Sequence, residues 1–108
     1  MKNDCLEIIF IGDIVGRPGR RAVKDYLENN KFDFVIANVE NASHGFGLTQ
    51  KNYNQLISAG VNCFTSGNHI WDKKDIFTYI DDSNVLVRPL NYHESARGVG
   101  YRLFNDDK

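Results

Sequence analysis

Apolar residues in this chain fall in short dense runs parted by polar stretches, and the spacing inside each run predicts its element. Leu6 to Ile11 is a dense apolar run, rich in isoleucine, which predicts a strand buried on both faces. Gly12-Asp13 ends it. Arg20 to Asn30 then sets Val23, Tyr26 and Leu27 at i, i+3 and i+4, the stripe of a one-sided helix, with Pro18 tolerated near its start. Phe32 to Val39 reads as a second strand, closed by the turn-forming residues Glu40-Asn41-Ala42-Ser43-His44-Gly45. Thr49 is placed to cap a helix over Gln50 to Ala59, where Tyr53, Leu56 and Ile57 share a face and Gly60 supplies the left-handed end. Val61 to Thr65 is the third strand, broken at Ser66-Gly67-Asn68-His69. Beyond it the signals weaken: a helical segment over Asp75 to Ile80, a fourth strand over Val85 to Val87 stopped by Pro89, and a fifth over Gly98 to Phe104.

Strands alternating with helices predict an α/β fold, a parallel sheet of right-handed βαβ units flanked by helices. In such sheets the carboxyl ends of the strands face the ligand crevice. Asp13, Glu40 with Asn41, Asn68 with His69, and Arg88 with Asn91 should therefore converge on one rim. The 108 residues, 42% hydrophobic and 25% charged, suffice for a single core and a single domain over 1–108. Thirteen basic against fourteen acidic side chains, a formal charge of −1, leave no bulk field to gather nucleic acid or an anionic membrane. No apolar run approaches a bilayer span and no signal-like stretch follows the first residues, so a cytoplasmic location is expected. Cys5 and Cys63 lie far apart with no CxxC arrangement, which predicts no disulfide framework.

The rim has a definite chemistry. Two carboxylates and an amide oxygen are hard donors, and with an imidazole they suit Mn²⁺, Fe²⁺ or Mg²⁺ near a phosphate. A single carboxylate bridging two ions is the usual basis of a two-metal hydrolytic site, and Glu40 is the candidate bridge. The plainer account has Asp13 capping a helix and the asparagines accepting turn geometry. Polar residues after four successive strands weigh against it. The segment Gly12 to Arg20 matches neither a Walker A loop nor a dinucleotide fingerprint. Gly16 and Gly19 permit a tight turn there, after which Arg17, Arg20 and Arg21 either touch phosphate or face solvent. His69, beside Asn68, is placed to protonate a leaving alkoxide or contact a phosphoryl oxygen, with Asp72 as an acceptor that orients it and Trp71 packed beneath. His44 is either a substrate contact or a surface residue of its glycine-containing loop, and His93 has no assigned role.

The strings Phe10-Ile11-Gly12-Asp13-Ile14-Val15-Gly16-Arg17-Pro18-Gly19-Arg20, Asn38-Val39-Glu40-Asn41-Ala42, Gly45-Phe46-Gly47-Leu48-Thr49, Ser66-Gly67-Asn68-His69-Ile70-Trp71-Asp72 and Arg88-Pro89-Leu90-Asn91-Tyr92 resemble the YmdB-like metallophosphoesterases, a branch of the calcineurin-like phosphoesterase fold. The resemblance runs from about Leu6 to Phe104, nearly the whole chain. It implies a two-metal phosphodiesterase acting on cyclic nucleotides, 2′,3′-cyclic mononucleotides among them. It also implies a sandwich of sheets flanked by helices, with this chain as its N-terminal half. Asp13 would bind one metal, Glu40 bridge both and Asn68 bind the second, with Fe or Mn as the first choices and Mg as the next. His69 would be the general acid or phosphate contact, and Asn41, Arg17, His44 and Asp72 would support substrate or ligands. Val15 stands where the wider superfamily has a histidine and Glu40 where it has an aspartate, both habits of this branch. Family members are much longer, and their second half supplies further metal-binding histidines. The resemblance therefore implies that this chain alone has an incomplete site, exposes apolar sheet surface, and self-associates or requires the remaining half. Two other readings stay open: a non-catalytic truncated nucleotide-binding or assembly module, and a small flavodoxin-like domain, which explains the βαβ order but not the acid and amide after the strands.

Overall fold

The computed structural model describes residues 5–105. Three parallel strands, β1 (Ile8–Ile11), β2 (Phe34–Asn38) and β3 (Cys63–Thr65), lie side by side in that order. Helices α1 (Gly16–Asn29) and α2 (Gln50–Ala59) make the two crossovers, and three short 3₁₀ turns follow β3 at Asn68–Asp72, Lys74–Thr78 and Ile80–Asp82. No helix among the described residues is long and apolar enough to cross a membrane.

One face of the sheet makes the core. Val35 and Ala37 of β2 are buried, and the register puts Ile9 and Ile11 of β1 beside them. These side chains pack with Val23 and Leu27 of α1, Tyr53 and Leu56 of α2, and the fully buried Phe64 of β3. The alternation that buries these residues turns their neighbours the other way. Ile8 is 56% exposed and Phe10 61%, so β1 is buried on one face only, not on both as its composition suggested. On that open face, Phe34 meets the ring of Phe104 at 5.1 Å.

Helix α2 has the predicted bounds because its ends are chemically marked. The Thr49 hydroxyl accepts from the Asn52 amide at 3.2 Å, and Gly60 closes the helix at φ +116°. Helix α1 starts earlier than its apolar stripe. Gly16, at φ +61°, turns the chain, and Pro18 occupies the first turn, where a missing N–H leaves nothing unpaired.

The segment after β3 is more irregular than its sequence suggested. Asp75 to Ile80 forms 3₁₀ turns instead of an α-helix: the Tyr79 N–H reaches back three residues to the Ile76 carbonyl at 3.2 Å, and the Thr78 hydroxyl donates to the Asp75 carbonyl at 2.6 Å. The expected fourth strand reduces to a single parallel bridge between Phe64 and Leu86, flanked by Phe64 N–H to Val85 at 2.8 Å and Val87 N–H to Phe64 at 2.9 Å. Pro89 cannot extend the ladder. Gly98 to Phe104 forms no strand among the described residues, although Val99 accepts from the Arg88 amide at 2.9 Å.

Candidate functional site

The three loops leaving the carboxyl ends of the strands are stitched together through the backbone. Ile14 N–H donates to the Asn38 carbonyl at 3.2 Å, Gly16 N–H to Asn41 at 3.1 Å, and Val39 N–H to Thr65 at 2.9 Å. Asp13, Glu40 and the Asn68-His69 pair follow these strand ends, and the stitching brings them to one rim. Asn41 Nδ2 donates to Asp13 Oδ1 at 2.9 Å, leaving Oδ2 for a ligand.

Glu40 sits at the centre. Its Oε1 accepts from Asn38 Nδ2 at 3.3 Å and its Oε2 from the His69 backbone N–H at 3.2 Å. The carboxylate lies against Gly67, where a Cβ would fall 2.6 Å from Oε2 and 2.7 Å from the carboxyl carbon. Gly67 has an extended backbone, φ −129°, so the glycine is required for space and not for its dihedral angles. The main-chain carbonyl of Glu40 accepts from Gly47 N–H, which anchors the turn behind it.

His69 and Asp72 form a pair, Nδ1 to Oδ2 at 2.7 Å, with both side chains partly exposed. The hydrogen bond to Asp72 holds the imidazole pKa above its ordinary value, and the negative charges of Asp72, Glu40 and Asp13 act in the same direction. Partial desolvation opposes them. With Nδ1 engaged by Asp72, Nε2 is left to face a ligand and to carry the exchangeable proton. Asn68 is exposed at the head of the same 3₁₀ turn.

Other expected residues are placed differently. Arg88 is buried and turned inward, donating through Nε to Arg97 at 3.2 Å and through Nη1 to Pro89 at 3.0 Å, so it braces the last loop and does not join the rim. Arg20 does not face solvent freely: its Nη1 donates to the Ala42 carbonyl at 2.6 Å. Arg17 is exposed on the first turn of α1. His44 is exposed with φ +58°, in a loop whose Gly45 lies near Gly16. Trp71 stacks on Phe77 at 5.7 Å and meets Tyr92 at 5.8 Å.

Two residues of the rim escaped the sequence reading. Asn38 was absorbed into the apolar strand, although its position two before Glu40 puts both side chains on one side of an extended chain. Gly67 reads as a strand breaker and as part of the Gly-Asn-His string, with no role of its own. Asn38 Oδ1 and Thr65 Oγ1, on register-paired residues at the strand ends, are buried without a hydrogen-bond partner among the described residues. Such atoms call for a water or an ion. The oxygens of Asp13, Glu40 and Asn68 suit a hard divalent cation. Among the described residues no group of three or more His, Cys, Asp and Glu gathers tightly enough to enclose one. The donor set fits part of a metal centre and not the whole.

The model of the YmdB-like protein family matches residues 9–108. Over 99 residues the chain is 52% identical to the 2′,3′-cyclic-nucleotide 2′-phosphodiesterase of Bacillus subtilis, covering 88% of this chain and 38% of that protein. A hypothetical protein from Thermus thermophilus superposes with a TM-score of 0.85 at 42% identity, over 93% of this chain and 40% of its own. A novel phosphatase from Mycoplasma pneumoniae superposes at 0.76 with 41% identity, over 84% of this chain and 34% of its own. The chain thus spans about two fifths of the length of the relatives it matches.

Proposed function

This chain belongs to the YmdB-like protein family, and from that premise we propose that it carries half of a metal-dependent phosphodiesterase centre for 2′,3′-cyclic nucleotides. One observation carries the reading: the Glu40 carboxylate is held between Asn38 and the His69 amide in space only glycine at position 67 provides, and both it and Asp13 act electrostatically on the His69 imidazole. Asp13, Glu40 and Asn68 would hold divalent ions, with Mn or Fe as first candidates. When bound, such ions neutralise phosphate charge and acidify a water.

Hydrolysis bonds the water oxygen to phosphorus and breaks the P–O2′ bond, leaving a 3′-phosphate. The proton lost by the water goes to solvent. His69, whose charged form Asp72 favours, gives its Nε2 proton to the departing O2′. Asn41 fixes the Asp13 carboxylate, and Arg17, exposed on the first turn of α1, would supply a guanidinium to a phosphoryl oxygen. The open sheet face, with Ile8 and Phe10, is expected to be covered by a second copy or by further length of the kind the relatives have.

The sparse donor set favours the second reading, a nucleotide-binding module without turnover. Hydrolysis of 2′,3′-cyclic AMP by the 108-residue chain, with and without Mn²⁺ and beside Asp13→Ala, separates the two. Turnover that requires Mn²⁺ and is lost in Asp13→Ala supports the phosphodiesterase. Metal-independent nucleotide binding unchanged by the substitution supports the module.

A further inference from the structure

A groove of about 700 Å³ runs between α1 and α2, outside the rim just described. Arg17, Arg21 and Lys24 lie along one wall at spacings of four and three, so they form a single stripe on α1. Asn54, Gln55 and Ser58 of α2 line the other wall with amide and hydroxyl groups. Glu28 closes the far end and pairs with Lys24 at 3.8 Å. Arg20 also lines the groove, giving four cations to one carboxylate in a chain whose overall charge is −1. Arg17 and Arg21 have no ion pair among the described residues, and Arg20 is disfavoured in its charged form by burial and by Arg17 beside it. Four cations against a single carboxylate leave the groove with a net positive charge and no anion to balance it.

The near end of the groove reaches the rim. Arg20 holds the Ala42 carbonyl, and Gly16 N–H holds Asn41, the residue that fixes Asp13. From Arg17 to Glu28 the wall is about 17 Å long at the helical rise, enough for several successive phosphates. Guanidinium forks and amide donors suit a phosphodiester backbone.

Resting on the reading of the rim given above, we propose that this groove binds the backbone of a single-stranded oligonucleotide whose 2′,3′-cyclic phosphate end lies at Glu40 and Asp13. The substrate class then includes RNA ends left when a 2′-hydroxyl attacks the adjacent phosphodiester and expels the 5′-oxygen, as well as mononucleotides.

The test is fluorescence anisotropy of a 5′-labelled hexauridylate ending in a 2′,3′-cyclic phosphate, in EDTA so that no turnover occurs. The hexamer should bind at least about tenfold tighter than cyclic UMP competes, with a log–log salt slope near −2, as about three neutralised phosphates require. Arg21→Ser/Lys24→Ser removes two exposed cations that belong to neither core nor rim. It should weaken hexamer binding by about tenfold and bring the slope toward −0.7. Glu28→Gln should tighten binding. Hydrolysis of cyclic mononucleotide should be unchanged in both variants. Equal hexamer affinity and slope in the double variant would overturn the proposal, as would displacement of the hexamer by phosphatidylglycerol vesicles as effectively as by RNA. Because binding is read without metal, absence of hydrolysis would count against the reading of the rim alone.

Discussion

Gly67→Ala tests the geometry of the rim without altering a candidate ligand. The new Cβ would lie 2.7 Å from the Glu40 carboxyl carbon, where ordinary van der Waals contact begins near 3.4 Å. Both carboxylate oxygens lie nearer still, so one partner must move by at least about 0.7 Å, and a misplacement of about 1 Å at a reacting centre can cost about a hundredfold in rate. The carboxylate moves more readily than the backbone, since it is held only by Asn38 and by the His69 amide at 3.2 Å. The extended backbone at Gly67 accepts alanine, so the thermal midpoint should hold while Mn²⁺-dependent hydrolysis of 2′,3′-cyclic AMP falls between ten- and a hundredfold, to about that order. Gly67→Ala/Glu40→Asp, which withdraws the carboxylate by one methylene, should recover part of the loss. Unchanged hydrolysis in Gly67→Ala would refute the claim that Glu40 must occupy the space against Gly67.

Other consequences follow from the same contacts. The His69 imidazole should titrate above its ordinary pKa of about 6.5 in the metal-free chain, and Asp72→Asn should lower that midpoint without abolishing the upward push of Glu40 and Asp13, as read by nitrogen-15 NMR. The sign is set by charge: removing a carboxylate disfavours the imidazolium, so at neutral pH less His69 carries the proton to be donated. Phe64→Ala removes a fully buried ring that Tyr53 meets edge-on at 5.1 Å, and should cost about 3–5 kcal/mol in urea unfolding. Ile8→Ser/Phe10→Ser should reduce self-association of the 108-residue chain in sedimentation velocity with little loss of stability, because both side chains are already more than half exposed.

The fold was legible where local chemistry and periodicity agreed. Thr49, the Tyr53-Leu56-Ile57 face and Gly60 specify α2 from cap to cap, and each feature forms as its residue type demands. Periodicity was less informative for β1, because an unbroken apolar run cannot show whether its second face is covered. Ile8 and Phe10 are as apolar as Ile9 and Ile11, yet only the latter pair packs on the core. Beyond Thr65 the outcome depends on single contacts, such as the Thr78 hydroxyl on the Asp75 carbonyl, that no spacing rule encodes. At the rim, topology alone brought Asp13, Glu40 and His69 together. Asn38 and Gly67 stayed hidden because their importance lies in a contact with Glu40 across strands, and Arg88 misled because a cation after a strand can as well turn inward to carbonyls.

On the proposed reading, Glu40 is the pivotal ligand of a metal centre. Titration of the 108-residue chain with Mn²⁺, followed by electron paramagnetic resonance of the free ion, tests it most directly when set beside Glu40→Gln. That substitution keeps the shape of the side chain and removes its charge. If Glu40 holds the ion, the wild-type chain binds Mn²⁺ weakly and the variant shows no binding above background. Equal binding by both would contradict it.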